Sequence, residues 1–401
     1  LLNFAYTETH AIFGMSFYFM FTSISHTFVG LSVIALVWWA GKMPSESHTL
    51  PTATAGKDTT LQGMAQLFAG LPITSQGFEA ISQDAHTKKH YTEFEKGWNT
   101  LKTKRLDKIR RWKDQELSEW KTNSYNLFYP FSGPDFLNAF ELFPNADNYI
   151  MFGLESVGSL PTKDQLKGWT LANYLAGIRQ SLSEIFDRNY FITSRMSGAL
   201  NGQVKGVLPI ISVFLARTGN EIINVQKVYL RKDGVTIYKP FGDNSLQLFS
   251  GLHIIFKNPS REITQHLYYF SVDVSDGAIV NKTELLKFIK DTPNKATFVK
   301  SASYLLHTEN FITIRKLITE ESIAVLQDDT GVPYKYFPSK DWDLQLYGKY
   351  AKPIADFNYG YQPDLNKKFI EDATNVKPID FTFGYHWWTD KSSILYFKRK
   401  K

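Results

Sequence analysis

From Ala11 to Ala40 the chain carries no Asp, Glu, Lys or Arg, and its densest stretch, Phe28 to Ala40, is nearly all apolar. A helix needs about 20 mostly apolar residues to cross a bilayer, and few buried helices of globular proteins run longer than that without a charge. The segment therefore predicts an N-terminal transmembrane or signal helix over residues 1–43, with Trp38, Trp39 and Lys42 as an interfacial belt. Residues 1–41 contain no Lys or Arg, so the basic start of a secretory signal is missing. Met15 and Met20 are alternative starts, and Ala53-Thr-Ala55 has a small-x-small form but lies far beyond the apolar run. This favours a retained anchor over a cleaved signal. Lys42 and Lys57 follow the segment, which by the positive-inside bias would hold the body in the cytoplasm; the expectation adopted is nonetheless a bacterial envelope setting, membrane-anchored, periplasmic or secreted.

Beyond this segment the chain has the composition of a globular body. Residues 44–60, rich in Ser, Thr, Pro and Ala, predict a flexible linker. With 43% hydrophobic and 15% aromatic residues in 401, the chain has ample core material, and the absence of cysteine excludes disulfides, thiolate metal sites and cysteine nucleophiles. The net charge of +6 is concentrated locally, between Lys88 and Lys121 and at the last four residues.

Residues 61–122 predict a helical segment: a short helix over Leu61–Leu71 and a long pattern from Thr87 to Trp120. Tyr91, Phe94, Trp98, Leu101, Ile109, Trp112, Leu117 and Trp120 keep helical spacing with one break near Lys104. The Lys and Arg residues between them form the opposite face, which reads as a solvated amphipathic helix rather than an acidic-lipid or nucleic-acid surface. No specific nucleic-acid binding is expected.

Residues 123–401 predict an α/β domain with a mostly parallel, Rossmann-like central sheet and antiparallel additions. Strand Tyr125–Pro130, turn Ser132–Asp135, helix Phe136–Phe143 and strand Asn148–Leu154 form a parallel βαβ pattern. A helix over Lys163–Arg188 and a Gly-rich stretch, Ser197 to Gly206, come next. Strands at Glu221–Leu230, Val235–Tyr238, Gly251–Phe256 and His266–Val274, with turns at Lys232-Asp-Gly234 and Asn258-Pro259, predict antiparallel pairing. Helix Lys282–Lys290, strand Ala296–Leu305, helix Asn310–Glu320 and strand Ile323–Leu326 return to the αβ alternation, and the aromatic-rich last 60 residues read as irregular strands and loops wrapping the core.

Two constellations carry polar chemistry. Ser132, Gly133 and Asp135 follow the first strand, and Glu155 closes the second. Ligands of doubly wound sheets bind at such carboxyl ends, where an acid often holds a ribose; the structural alternative is Asp135 as a helix cap. Asp328 and Asp329 emerge together from an apolar strand into a Gly-Pro turn, where adjacent carboxylates serve as acid and base or simply as turn residues. His307 and His386 lack partners at metal-ligand spacing, and Ser132, Ser194 and Ser197 lack a nucleophile elbow. The candidate catalytic set is Asp328, Asp329 and His307; the candidate cofactor-binding set is Ser132, Gly133, Asp135 and Glu155; no metal ligands are assigned.

The run Phe128-Tyr-Pro-Phe-Ser-Gly-Pro-Asp135 with Glu155 is similar, over about 30 residues, to the opening of Rossmann-like methyltransferases, which implies S-adenosylmethionine or a nucleotide near these residues. It departs from that family in lacking G-x-G, and Pro134 removes a backbone N–H. More broadly, Tyr129-Pro-Phe-Ser-Gly-Pro-Asp135 and Leu326-Gln-Asp-Asp-Thr-Gly-Val-Pro-Tyr334 resemble segments of uncharacterised bacterial exported proteins, which implies one continuous domain and an envelope setting but no mechanism. The expectation is an exported or membrane-anchored envelope protein that binds a small molecule or acts structurally; the alternative is an enzyme with a carboxylate-lined site, methyltransferase-like or metal-dependent.

Overall fold

The computed structural model describes residues 59–191 and 204–400, which belong to one compact unit. The N-terminal apolar segment, the linker up to residue 58, Ser194 and Ser197 lie outside the described residues. Among those described, no helix is long and apolar enough to cross a membrane.

One ten-stranded sheet organises the described residues, in the order β4-β3-β5-β6-β2-β1-β7-β8-β10-β9. Its strands are β1 (Asn126–Tyr129), β2 (Asn148–Gly153), β3 (Glu221–Leu230), β4 (Thr236–Pro240), β5 (Phe249–Lys257), β6 (Gln265–Ser271), β7 (Lys295–Val299), β8 (Ser322–Gln327), β9 (Trp342–Gly348) and β10 (Ser393–Arg399). The predicted βαβ unit forms: β1 and β2 pair in parallel, with Asn126 opposite Asn148 and Tyr129 opposite Met151.

The expectation of a mostly parallel sheet is corrected. The four pairings linking β6, β2, β1, β7 and β8 are parallel, but the five outside them are antiparallel. Two insertions account for this. The β3-β4 hairpin, turned at Gly234 (φ +94°), and β5, which pairs along the other side of β3, sit between β2 and β6 in sequence and extend one flank. On the other flank the last 60 residues do not merely wrap: β10 enters the sheet between β8 and β9.

Among the described residues the helices are α1 (Thr59–Phe68), α2 (Glu79–Gln83), α3 (Ala85–Leu101), α4 (Asp107–Glu116), α5 (Phe136–Leu142), α6 (Gly168–Arg188), α7 (Leu208–Arg217), α8 (Asp276–Ile279), α9 (Thr283–Asp291), α10 (Ile312–Glu321) and α11 (Pro363–Glu371). Strand side chains alternate between the two faces of the sheet. Leu127, Tyr129, Tyr149, Met151 and Phe298 pack with residues from α1 and α3 to α7 in one core. Phe128, Ile150, Phe152 and Val325 face the second core, with Leu285 and Ile289 of α9 and Ile314, Leu317 and Ile318 of α10. Both faces are therefore covered, which is why β1 is buried at every position rather than at alternate ones.

The break near Lys104 is a π-helical turn, Lys102–Leu106, between α3 and α4. Several basic residues here dock the helices onto the body. Arg110 binds the buried Glu141 through Nε at 2.7 Å and Nη2 at 2.5 Å, and the buried Arg105 donates to the carbonyls of Ile185 and Asp187. Burial lowers the Arg105 guanidinium to about 10, against the opposing pull of Asp187 and Asp135.

Candidate functional site

The carboxyl ends of β1, β2, β6 and β7 open on a cleft of about 660 Å³. The β1 loop, Pro130 to Gly133 and Asp135, forms one side, and Gly153 to Glu155 after β2 forms the next. Val272 to Val274, the β7 loop from Lys300 to Ser303, and Arg188 at the end of α6 with Tyr190 just past it continue the wall, which Phe357 and Tyr385 complete from the C-terminal part.

Local bonding decides what the β1 loop offers a ligand. The backbone N–H groups of Ser132 and Gly133 both donate to the Phe152 carbonyl, at 2.9 and 3.0 Å, and the Ser132 hydroxyl donates to the same oxygen at 2.9 Å. These amides tie the loop to β2 instead of cradling a phosphate. Asp135 caps α5, accepting from the Asn138 N–H at 3.1 Å and from its side-chain amide at 2.9 Å. The capping reading of Asp135 therefore holds, and its carboxylate fills the place where a helix start would attract an anion.

Asp135 also anchors a buried ion pair. Lys300 Nζ lies 2.8 Å from Asp135 Oδ2, donates to the Asn189 carbonyl, and is buried with its partner. Burial pulls the Lys300 ammonium below its ordinary range, and the Asp135 charge opposes that shift. Tyr129 donates to Asp135 Oδ2 at 3.2 Å; burial first, then the neighbouring carboxylate, pushes its phenol far up.

The β7 loop is held in an uncommon conformation. Ser301, Ser303 and Tyr304 take φ of +52°, +50° and +53°, a region that costs side-chain-bearing residues about 1–3 kcal/mol each. Asp328 stabilises this turn: Oδ2 accepts from the Ser301 N–H at 2.9 Å, and Oδ1 from the Thr330 N–H at 3.0 Å. The Ala302 N–H donates to Thr330 Oγ1 at 2.8 Å, and the Ser303 N–H to the Tyr385 hydroxyl at 3.1 Å. Tyr304 donates to Asp329 Oδ2 at 2.5 Å.

Burial raises both carboxyls. For Asp328 its hydrogen bonds oppose the rise; for Asp329 the adjacent Asp328 charge adds to it, and the group reaches about 7. His307 packs edge-on against Tyr304 at 5.1 Å, and burial lowers it to about 4.

The two predicted sets thus separate. Ser132, Gly133, Asp135 and Glu155 all line the cleft, whereas Asp328, Asp329 and His307 sit behind the β7 loop, outside the cleft wall. Asp328 reaches the cleft only through the backbone it holds. Glu155 is nearly buried, and Tyr269 donates to its carbonyl at 2.9 Å. Gly153 leaves the room this needs, since a Cβ there would lie 2.6 Å from Glu155 Oε2 and 2.8 Å from Gly133 Cα.

Sequence reasoning missed Lys300, Asp273, Asp356, Tyr190, Phe357 and Tyr385. Lys300 gave one usable signal, a lone cation directly after a buried strand; the three rings gave none. His386 is buried away from the cleft wall. Among the described residues, no group of three or more acidic or His side chains is placed to hold a metal ion. Compared with known proteins, the chain matches no family model, no curated protein and no solved structure.

Proposed function

We propose that this chain is a small-molecule-binding α/β protein of a bacterial envelope, held there by its N-terminal apolar segment, with its ligand in the cleft at the β1/β7 junction. One observation carries the reading. Numbered in chain order, the parallel strands β1, β2, β6, β7 and β8 lie as 3-2-1-4-5, the beginning of the Rossmann order. In such sheets, ligands bind outside the carboxyl ends where the strand order reverses, between the first and fourth of these strands. The cleft lies at that position. Glu155 follows Gly133 by 22 positions, close to the spacing of about 20 at which an acid grips a ribose diol.

The same acid favours a second reading, an enzyme of the methyltransferase type. The occupied Ser132 and Gly133 amides and the Asp135 cap weigh against a pyrophosphate-bearing cofactor. A nucleoside without phosphates, such as S-adenosylmethionine, is compatible with them.

The test is thermal denaturation of the full-length protein with adenosine, S-adenosylmethionine, S-adenosylhomocysteine, NAD and simple sugars. A ligand at one hundred times its Kd stabilises by about 2.7 kcal/mol. A shift in the wild type that Glu155→Gln abolishes supports the cleft. If no compound shifts the wild type, the binding reading fails. Fractionation of native cells tests the envelope part, which requires the protein in the membrane or beyond it.

A further inference from the structure

We propose that the cleft recognises an organic onium ion, a quaternary ammonium or sulfonium group. This rests on the reading of the cleft as the ligand site and names the ligand chemistry. The chain as a whole is basic, with net charge +6. The cleft reverses that sign, its wall carrying four carboxylates (Asp135, Glu155, Asp273 and Asp356) against two cations, Arg188 and Lys300.

Both cations are engaged. Lys300 is spent on Asp135 at 2.8 Å, and Arg188 binds Glu184 through Nε at 3.0 Å while its guanidinium lies 5.6 Å from the Trp387 ring centre. Among the described residues, an anionic ligand would find no cation on this wall without an existing partner.

Aromatic side chains share the wall with small and aliphatic ones. Tyr385 meets Tyr190 edge-on at 4.9 Å and stacks on Phe357 at 5.0 Å, forming a corner of ring faces and edges. Phe131 and Phe311, 6.1 Å apart, also line the cleft. The Tyr385 hydroxyl is fixed by the Ser301 carbonyl at 2.9 Å, so the ring is held in place before any ligand arrives.

Ring faces carry negative charge and attract cations. They compete best for cations that water solvates poorly, because a methylated ammonium or sulfonium gives up little hydration on entering. A small hydrated cation such as ammonium has no such advantage. Asp356, exposed at the rim beside Phe357, supplies the long-range attraction.

The deciding experiment is calorimetric titration of the full-length protein in a non-ionic detergent with two pairs of charged and uncharged compounds. Choline is compared with 3,3-dimethylbutan-1-ol, which has carbon in place of the charged nitrogen. S-Adenosylmethionine is compared with its neutral thioether, S-adenosylhomocysteine. The charged member of at least one pair should bind about ten-fold tighter or better, and the pair that shows this identifies the source of the onium group. Asp356→Asn, at an exposed position, should reduce that preference several-fold with unchanged melting temperature, and Phe357→Leu should reduce it further.

Equal binding within both pairs overturns the onium inference while leaving the cleft as a ligand site. If neither pair binds, the inference falls; if adenosine, NAD and the sugars also fail to bind, the broader reading falls with it.

Discussion

Lys300 Nζ and Asp135 Oδ2 lie 2.8 Å apart beneath the cleft, joining the end of β7 to the start of α5, and neither residue exposes more than 2% of its surface. Removing one member of a buried ion pair leaves the other uncompensated, at a cost of about 3–5 kcal/mol. Lys300→Met should therefore destabilise the protein by about that much in urea denaturation. Adding Asp135→Asn, which keeps a capping oxygen, should recover part of the loss. If Lys300→Met costs under about 1 kcal/mol, or the second change makes matters worse, the pair does not hold the cleft floor.

Asp329 is expected to give stability an inverse dependence on pH. Its carboxyl is raised to about 7 by burial and by the neighbouring Asp328 charge, from an ordinary value of 3.8. Between those values the folded state binds more protons than the unfolded state, so this contribution is present in full below about 4 and declines as pH rises towards 7. Asp329→Asn keeps an acceptor for the Tyr304 hydroxyl and removes the titration. The variant should gain stability relative to wild type as pH goes from about 4 to 8; a constant difference would contradict the assignment.

His253 acts in the opposite direction. It is buried on β5 with Nε2 2.9 Å from His266 Nδ1 and Nδ1 2.8 Å from Gln226 Nε2, and Tyr238 and Tyr268 pack on its ring. Burial, reinforced by His266, lowers it to about 3 from 6.5. Its contribution is present above about 6.5 and lost as pH falls towards 3, because the unfolded chain takes up the proton first. His253→Gln should flatten the acid side of the stability profile. An unchanged slope between pH 6 and 4 would show that the buried ring is not the cause.

Gly153→Ala should damage the cleft from beneath. The added methyl would press on Glu155 Oε2 and the Tyr269 hydroxyl, both at 2.6 Å, and on Gly133 Cα at 2.8 Å. Overpacking of this kind costs about 1–3 kcal/mol, and because Glu155 must move, any ligand gripped there should bind at least several-fold more weakly. Wild-type affinity in a folded Gly153→Ala protein would remove Glu155 from the binding site.

The centre of the fold was legible because local signals agreed there. The β1-α5-β2 unit combines two short apolar runs, a Gly-Pro turn and a capping Asp135, all pointing to the same structure. The flanks depended on long-range pairing: nothing local in Ser393–Arg399 says that it enters between β8 and β9.

The predicted strand Ala296–Leu305 is too long because Tyr304, Leu305 and Leu306 have strand-like composition, while the backbone turns at Ser301 under the hold of Asp328, 27 positions away. Burial of Lys300 was invisible for the same reason, since an unpaired lysine belongs outside and only the fold brings Asp135 to it. Of the cleft's acids, Asp135 and Glu155 could be named from sequence and Asp273 and Asp356 could not; nor could its aromatic corner, which joins Tyr190 to Tyr385 across nearly 200 positions.

The interior position of β10 bears on how the chain is made. When β8 and β9 have been synthesised, the slot between them is still empty, and β8 presents an unpaired edge of backbone N–H and C=O groups. Such an edge invites pairing with other chains. The sheet closes only when residues 393–399 arrive to fill it. Until that strand is made, the β8 edge stays open, so the interval before residues 393–399 emerge is the one in which the polypeptide is most exposed to pairing with its neighbours.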